Sequence, residues 1–249
     1  MLIKEIQDIT SSFKSVSLAE MDGVKLMNRV DTKFAISEKQ FLDVFSDLKD
    51  EYNVLEVNND KFSEYESLYF DGKDFKFYND HHRSKANRMK IRIRKYKSND
   101  LAFLEVKKKR KGQTFKSRIK SSTWSENFTK IERDFLSDLY PNHSDLIPSL
   151  ENKFTRITLV HKERIERLTF DLNLSYHKAG KKINLENLVI CELKQERVNI
   201  QSPAYIKLKK LQIRPARISK YCIGAGSVYE NLKINRFKKK FIQLKKISA

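Results

Sequence analysis

The chain has 249 residues, of which 39% are hydrophobic and 33% charged, so it holds enough apolar side chains to build a core and disorder is excluded. Lys plus Arg total 51 against 32 Asp plus Glu, a formal net charge of +19. Such an excess repels itself in a compact state and points to a polyanionic partner: nucleic acid, an anionic membrane surface or phosphate-rich small molecules.

In chain order, residues 1–27 read as an N-terminal helical segment of one or two short amphipathic helices. A strand is expected over 28–36. Ser37-Glu38-Lys39-Gln40 then has the form of a capping box, and Phe41, Val44, Phe45 and Leu48 follow on one helical face. Strands are expected near 65–71, 75–79, 88–97, 101–109 and 113–121, separated by turn residues such as Asp71-Gly72, Ser98-Asn99-Asp100 and Lys111-Gly112. His81-His82 reads as a surface turn. A helix starting near Ser125 carries Phe128, Ile131, Phe135 and Leu139 and stops before Pro141. Further strands are expected at 154–160, 165–173 and 188–196, and Ser202-Pro203 opens a short helix to about Leu211. Gly224-Ala225-Gly226 marks a helix break or tight packing, and 235–249 reads as a basic C-terminal amphipathic helix docked on the rest.

No segment reaches the about 20 apolar residues that a membrane span needs, and the N-terminus mixes Lys, Glu and Asp with its apolar residues, unlike a signal peptide. Cys191 and Cys222 show no zinc or disulfide spacing. A reduced cytoplasmic protein is expected, with the basic C-terminal helix as its one candidate contact with a membrane surface or membrane protein. With 6 Gly, 4 Pro and no linker-like run, residues 1–249 read as a single domain. No helix-turn-helix, zinc-finger or RNP-like signature is present, so specific nucleic-acid binding is not expected.

Side chains at i and i+2 of a strand share a face. Lys90, Arg92 and Arg94 therefore oppose Ile91 and Ile93; Glu105, Lys107 and Lys109 oppose Leu104 and Val106; Lys116, Arg118 and Lys120 form a third basic row. Arg167, Thr169 and Asp171 oppose Leu168 and Phe170; Glu192, Lys194 and Glu196 oppose Cys191 and Leu193; Arg29, Asp31 and Lys33 share a face. Two packings satisfy this alternation. Either the charges face solvent from an ordinary sandwich, or the apolar faces pack outward against helices and the charged faces line a tunnel. The basic excess and its recurrence on nearly every strand favour the second, an α+β fold built on a closed antiparallel barrel of about eight strands with flanking helices. A lysine- and arginine-lined interior cannot stay dry and must hold anions or water.

The ordered series Arg29-Val30-Asp31-Thr32-Lys33-Phe34, Leu68-Tyr69-Phe70-Asp71, Lys90-Ile91-Arg92-Ile93-Arg94-Lys95-Tyr96, Leu104-Glu105-Val106-Lys107, Phe154-Thr155-Arg156, Arg167-Leu168-Thr169-Phe170-Asp171, Cys191-Glu192-Leu193-Lys194 and Ser219-Lys220-Tyr221 resembles the catalytic domain of VTC-type polyphosphate polymerases. These belong with the CYTH proteins in the triphosphate tunnel metalloenzyme superfamily, and the resemblance spans about residues 25–230. It implies a tunnel fold and ATP-dependent extension of polyphosphate, with Mn²⁺ or Mg²⁺. Carried over by motif, it implies Lys33, Arg92, Arg94, Lys107, Arg156, Arg167 and Lys220 as the residues acting on phosphate. Lys109, Lys116, Lys194, Arg217 and Ser219 would be further phosphate contacts, and Glu192 the metal ligand. CYTH triphosphatases open with Glu-x-Glu-x-Lys, whereas this chain has Arg29-x-Asp31-x-Lys33, which provides poorly for a two-metal hydrolytic site. A triphosphatase of the same fold and a non-catalytic polyphosphate-binding module remain the alternatives. Asp31 and Glu105 read as residues that orient neighbouring bases.

Overall fold

Strand alternation places apolar side chains on one face of a long sheet, and helices from four parts of the chain cover them. The computed structural model describes residues 2–22, 29–122, 124–125, 127–178 and 180–248. The end of the expected N-terminal segment (23–27), the first residue of the expected 28–36 strand and the last residue of the C-terminal helix lie outside them.

Helix α1 (Leu2–Ser11), strand β1 (Ser15–Ser17) and helix α2 (Leu18–Asp22) begin the chain, followed by β2 (Val30–Ser37) and α3 (Glu38–Ser46). Ser37 caps α3 through the expected box: its hydroxyl accepts from Gln40 N, and the Gln40 side chain accepts from Ser37 N. Next come β3 (Tyr52–Glu56), β4 (Ser63–Gly72), α4 (Lys76–His82), β5 (Arg88–Tyr96), β6 (Leu101–Arg110), β7 (Gln113–Ser121) and α5 (Lys130–Leu139). The chain closes with β8 (Leu146–His161), β9 (Glu166–Lys178), β10 (Lys181–Leu185), β11 (Leu188–Gln195), α6 (Pro203–Lys210), α7 (Lys220–Val228) and α8 (Lys238–Ser248).

The main sheet runs β2-β11-β9-β8-β4-β5-β6-β7, with antiparallel neighbours throughout. Strand β10 adds to β9, and β3 pairs with β8 and, in parallel, with β1. Bulges at Tyr69/Phe70 and Lys153/Thr155 help to bend the sheet into a trough. Contrary to the closed barrel expected from the sequence, it is a half-barrel: among the described residues β2 and β7 do not pair. Zipping those edges together would bring the Lys116–Arg118–Lys120 row against the Lys33 row, and like charges across a ladder repel.

Two apolar clusters lie on the convex side. Phe34, Ile36, Phe170, Val189 and Leu193 pack with Phe41, Val44 and Phe45 of α3 and Ala204 and Leu208 of α6. Ile91, Ile93, Leu104 and Val106 pack under Leu136 of α5. A third cluster fills one end of the concave side, where α7 and α8 cover Ala35, Tyr69, Leu150, Tyr176 and Leu188. The remainder of the concave face carries charged residues around a small apolar cluster of Phe154, Leu174 and Ile190.

Helix α4 corrects the sequence expectation at two points, and α7 decides between the two readings of its glycines. The predicted strand at 75–79 is the helix α4. Its N-terminal amides at Phe77 and Tyr78 donate to the Asp71 carboxylate (2.8 and 2.9 Å), a cap that lies upstream of the helix. His81 and His82 lie on that helix, with His82 buried, and do not form a surface turn. Gly224-Ala225-Gly226 sits inside α7 and is the tight-packing alternative: a Cβ on Gly224 would overlap the Tyr176 ring and stand 2.6 Å from Leu150 Cδ2. Gly224→Ala is therefore expected to destabilise the protein by about 1–3 kcal/mol through overpacking. Thermal unfolding should show a fall in Tm of roughly 2–4 °C per kcal/mol; an unchanged Tm would contradict the seating of α7 on Tyr176.

Candidate anion-binding tunnel

Three carboxylates on the concave face are each wedged between two bases. Glu105 on β6 accepts from Arg92 Nε (2.9 Å) and Nη2 (2.7 Å) and pairs with Lys116. Asp171 on β9 accepts from Arg156 Nε at Oδ1 (2.6 Å) and Nη2 at Oδ2 (2.9 Å) and pairs with Lys220. Glu192 on β11 pairs with Lys33 through one oxygen and with Lys194 (3.1 Å) through the other. Register explains several of these contacts, because Arg92↔Glu105, Arg156↔Asp171 and Lys33↔Glu192 are direct cross-strand partners. Lys220, the first residue of α7, is delivered to Asp171 by the helix that closes that end of the trough.

The side chains of Glu105 and Asp171 are fully buried. Burial works against ionisation in all three acids. The surrounding charges outweigh it, led by Arg92 for Glu105, Arg156 for Asp171 and Lys194 for Glu192, and hold each carboxyl well below its usual range.

Of the further bases on this face, Lys90, Arg94 and Lys107 make no ion pair among the described residues. Burial, followed by repulsion from Arg92, pushes the Lys107 ammonium well below the usual lysine range. Lys90 is lowered chiefly by burial, as is Arg94, where Arg92 adds to the effect. Arg94 lies over the rings of Tyr65 (5.3 Å) and Phe154 (5.5 Å), and its Nε donates to Ser67 Oγ (3.2 Å). Lys33, Lys90, Arg92, Arg94, Lys107, Lys116, Arg156, Lys194 and Lys220 thus share one concave face with Glu105, Asp171 and Glu192, and Asp31 stands beside Lys33 at the mouth, so bases outnumber acids there.

One mouth opens into a cavity of about 620 Å³ lined by Lys33, Lys90, Lys109, Arg217, Ser219 and Lys240, with His81 at its wall. The Ser219 hydroxyl accepts from Cys222 N (3.2 Å) and so caps α7 while facing the cavity. His81 is pushed down to about 2 by burial and by Lys90, Arg88 and Lys109, so it stays neutral in this positive field. Arg167 is engaged elsewhere: its Nη2 donates to the Met21 carbonyl (2.7 Å) and holds the N-terminal segment. Asp31 pairs with Arg29 (3.0 Å).

Among the described residues no three His, Cys, Asp or Glu side chains converge, so the protein alone offers no complete metal cage. Glu192 is a hard oxygen donor on the tunnel wall, which fits a divalent ion that brings phosphate oxygens and water as its other ligands. Such an ion would compete with Lys33 and Lys194 for the carboxylate.

Lys90, Tyr65, Phe154 and Lys240 join the site beyond the residues expected from the sequence. Lys90 is legible there, since it shares the face of Arg92 and Arg94 by simple alternation. The two aromatic rings also lie at concave-facing positions of β4 and β8. Lys240 carries no signal in the sequence, because only the docking of α8 brings it to the mouth.

Two outcomes follow. Asp171→Asn leaves Arg156 and Lys220 uncompensated, which should cost about 3–5 kcal/mol of stability; thermal unfolding should show that tripolyphosphate recovers more of this loss than it adds to the wild type. Anion binding favours the protonated form of Lys107, so affinity for tripolyphosphate should fall as pH rises toward the ordinary lysine pKa of about 10.4. Calorimetric titration of Lys107→Arg, which keeps its charge, should show a flatter fall over the same range.

The VTC domain family matches residues 28–229. No curated protein sequence gives a significant match. Among solved structures, a candidate adenylate cyclase from Bacillus halodurans superposes with a TM-score of 0.52 at 17% identity, over 84% of this chain and 97% of that one. A candidate adenylyl cyclase from Hippeastrum, described as having a dominant triphosphatase activity, gives 0.47 at 13% identity over 83% and 99%. A candidate adenylate cyclase from Vibrio parahaemolyticus gives 0.45 at 12% over 79% and 97%. The first of these likenesses supports the curled-sheet fold seen here, and the family match over most of the chain settles its membership: this protein belongs to the VTC domain family.

Proposed function

We propose that residues 1–249 act as one tunnel domain that transfers the γ-phosphoryl group of ATP to a growing polyphosphate chain. The observation that carries this reading is the surplus of bases on the concave face, with Lys90, Arg94 and Lys107 left unpaired beside the three clamped carboxylates. Phosphoryl transfer asks a protein mainly to position its substrates and to neutralise charge on non-bridging oxygens. Arginine forks grip those oxygens, and lysines follow them as mobile point charges. A terminal oxygen of the acceptor chain attacks the γ-phosphorus, the bond from that phosphorus to the β–γ bridging oxygen breaks, and ADP leaves. No side chain needs to become covalent.

Lys33, Arg92, Arg94, Lys107, Arg156 and Lys220 are assigned to the reacting phosphates, with Lys116 and Lys194 beside them and Lys109, Arg217 and Ser219 at the mouth. Arg167, committed to Met21, is assigned to holding the wall behind them. Glu192 would hold Mn²⁺ or Mg²⁺, which when bound adds charge neutralisation on the phosphates. The two-metal hydrolytic alternative has less support, because Asp31 is tied to Arg29 and the buried Glu105 and Asp171 are clamped by bases, which leaves Glu192 as the one candidate ligand among the described residues. No helix among the described residues is long and apolar enough to cross a membrane. Helix α8 docks through Leu244 and turns Lys238, Lys239, Lys245 and Lys246 outward, a face suited to an anionic membrane surface.

Incubation with ATP and Mn²⁺ should yield long anionic polymer on a gel, and Arg94→Ala should reduce its formation by about 10²–10³-fold. Phosphate release without polymer would select hydrolysis. Tight binding with no turnover in any metal would select a binding module.

A further inference from the structure

Bases that must meet phosphate are usually held in place by carboxylates, and each carboxylate cancels a charge and occupies donors. Arg156 gives Nε and Nη2 to Asp171, and Arg92 gives Nε and Nη2 to Glu105. Arg94 is different. It is buried, at 8% exposure, and among the described residues it has no ion-pair partner and a single side-chain hydrogen bond, from Nε to Ser67. Two rings hold it instead. Tyr65 and Phe154 are direct cross-strand partners on β4 and β8 and stack with parallel planes, their centroids 5.1 Å apart and their planes 4° apart. Arg94 lies 5.3 and 5.5 Å from the two centroids, Arg156 5.1 and 5.3 Å, and Lys220 4.8 Å from that of Phe154.

An aromatic face attracts a cation through its quadrupole without neutralising it and without using any N–H group. Both terminal nitrogens of Arg94 therefore keep their hydrogens for another acceptor, and the charge of the cluster stays intact. We infer that Tyr65 and Phe154 are positioning residues, a stacked aromatic pair that holds Arg94, together with Arg156 and Lys220, ready for the non-bridging oxygens of an inorganic or nucleotide phosphate chain. Ordinary packing would not require three like charges to gather on one pair of rings, because each charge raises the cost of burying the next. The gathering makes sense where an anion arrives to complete it. This inference rests on the proposed phosphate-binding role of the tunnel and adds to it the residues that keep the tunnel's least-neutralised arginine in place.

The test is calorimetric titration of inorganic tripolyphosphate into the full chain. Tyr65→Phe keeps the ring and should retain wild-type affinity. Tyr65→Leu keeps apolar bulk and loses the face, and should bind about tenfold more weakly. In an Arg94→Ala background Tyr65→Leu should cost markedly less, since the ring acts largely through that guanidinium. Phe154→Leu provides a second variant should Tyr65→Leu fold poorly, and it should weaken binding in the same way. The positioning role is overturned if the leucine variants bind like the wild type, if Tyr65→Phe falls as far as Tyr65→Leu, or if the Tyr65 and Arg94 effects simply add. A wild-type protein that does not bind tripolyphosphate defeats the proposed function and this inference with it, whereas wild-type binding with unaffected leucine variants defeats the inference alone.

Discussion

A buried carboxylate between two bases is the interaction on which this architecture depends. A sheet can turn its charged face inward only if the repulsion there is contained, and Glu105 on β6, Asp171 on β9 and Glu192 on β11 contain it at three points. Each acid neutralises one of its two bases and fixes the geometry of both. What remains is a wall with ordered side chains and a positive surplus, a state that water alone solvates poorly in a partly enclosed trough.

The outer face of the sheet permits this arrangement. Because helices α3, α5 and α6 cover the convex side and α7 and α8 one end of the concave side, the hydrophobic contribution to stability is made there, and the rest of the concave side is released from the usual task of forming the core. Helix α7 divides the concave side into two regions. One end is packed around Tyr176 and Leu150, and the other stays charged, with Lys220 at the boundary. The open β2 and β7 edges fit the same charge distribution, since the basic rows proposed to grip an anion are those that would repel across a closing ladder.

The parts legible in the sequence were those governed by local periodicity. Ile91, Ile93, Leu104 and Val106 alternate with charged residues, and both faces lie where that pattern puts them. The capping box at Ser37 is equally local and forms as read. Non-local features were harder to see. Phe75 and Phe77 alternate as a strand would, but the Asp71 carboxylate and the Tyr221 hydroxyl that donates to it (2.5 Å) hold a helix there. The glycines of α7 admit a helix break or tight packing, and only Tyr176 against Gly224 and Phe241 against Gly226 decide for the second. Strands β8 and β9 extend beyond the expected spans because Leu150 and Tyr176, which carry no charged alternation, face a helix from much later in the chain. Within the site, the bases could be read from alternation, whereas the pairing of Asp171 with Lys220 across 49 residues and the stacking of Tyr65 on Phe154 could not.

The most direct test of this charge balance is the thermal stability of the wild-type protein in phosphate, pyrophosphate and tripolyphosphate at matched ionic strength. A tunnel with an unsatisfied basic surplus should gain stability with chain length, and tripolyphosphate at about 100 times its Kd should add about 2.7 kcal/mol. At this chain size that corresponds to an upward Tm shift of roughly 5–10 °C beyond the chloride control. Equal shifts in all the salts, following ionic strength alone, would contradict the account.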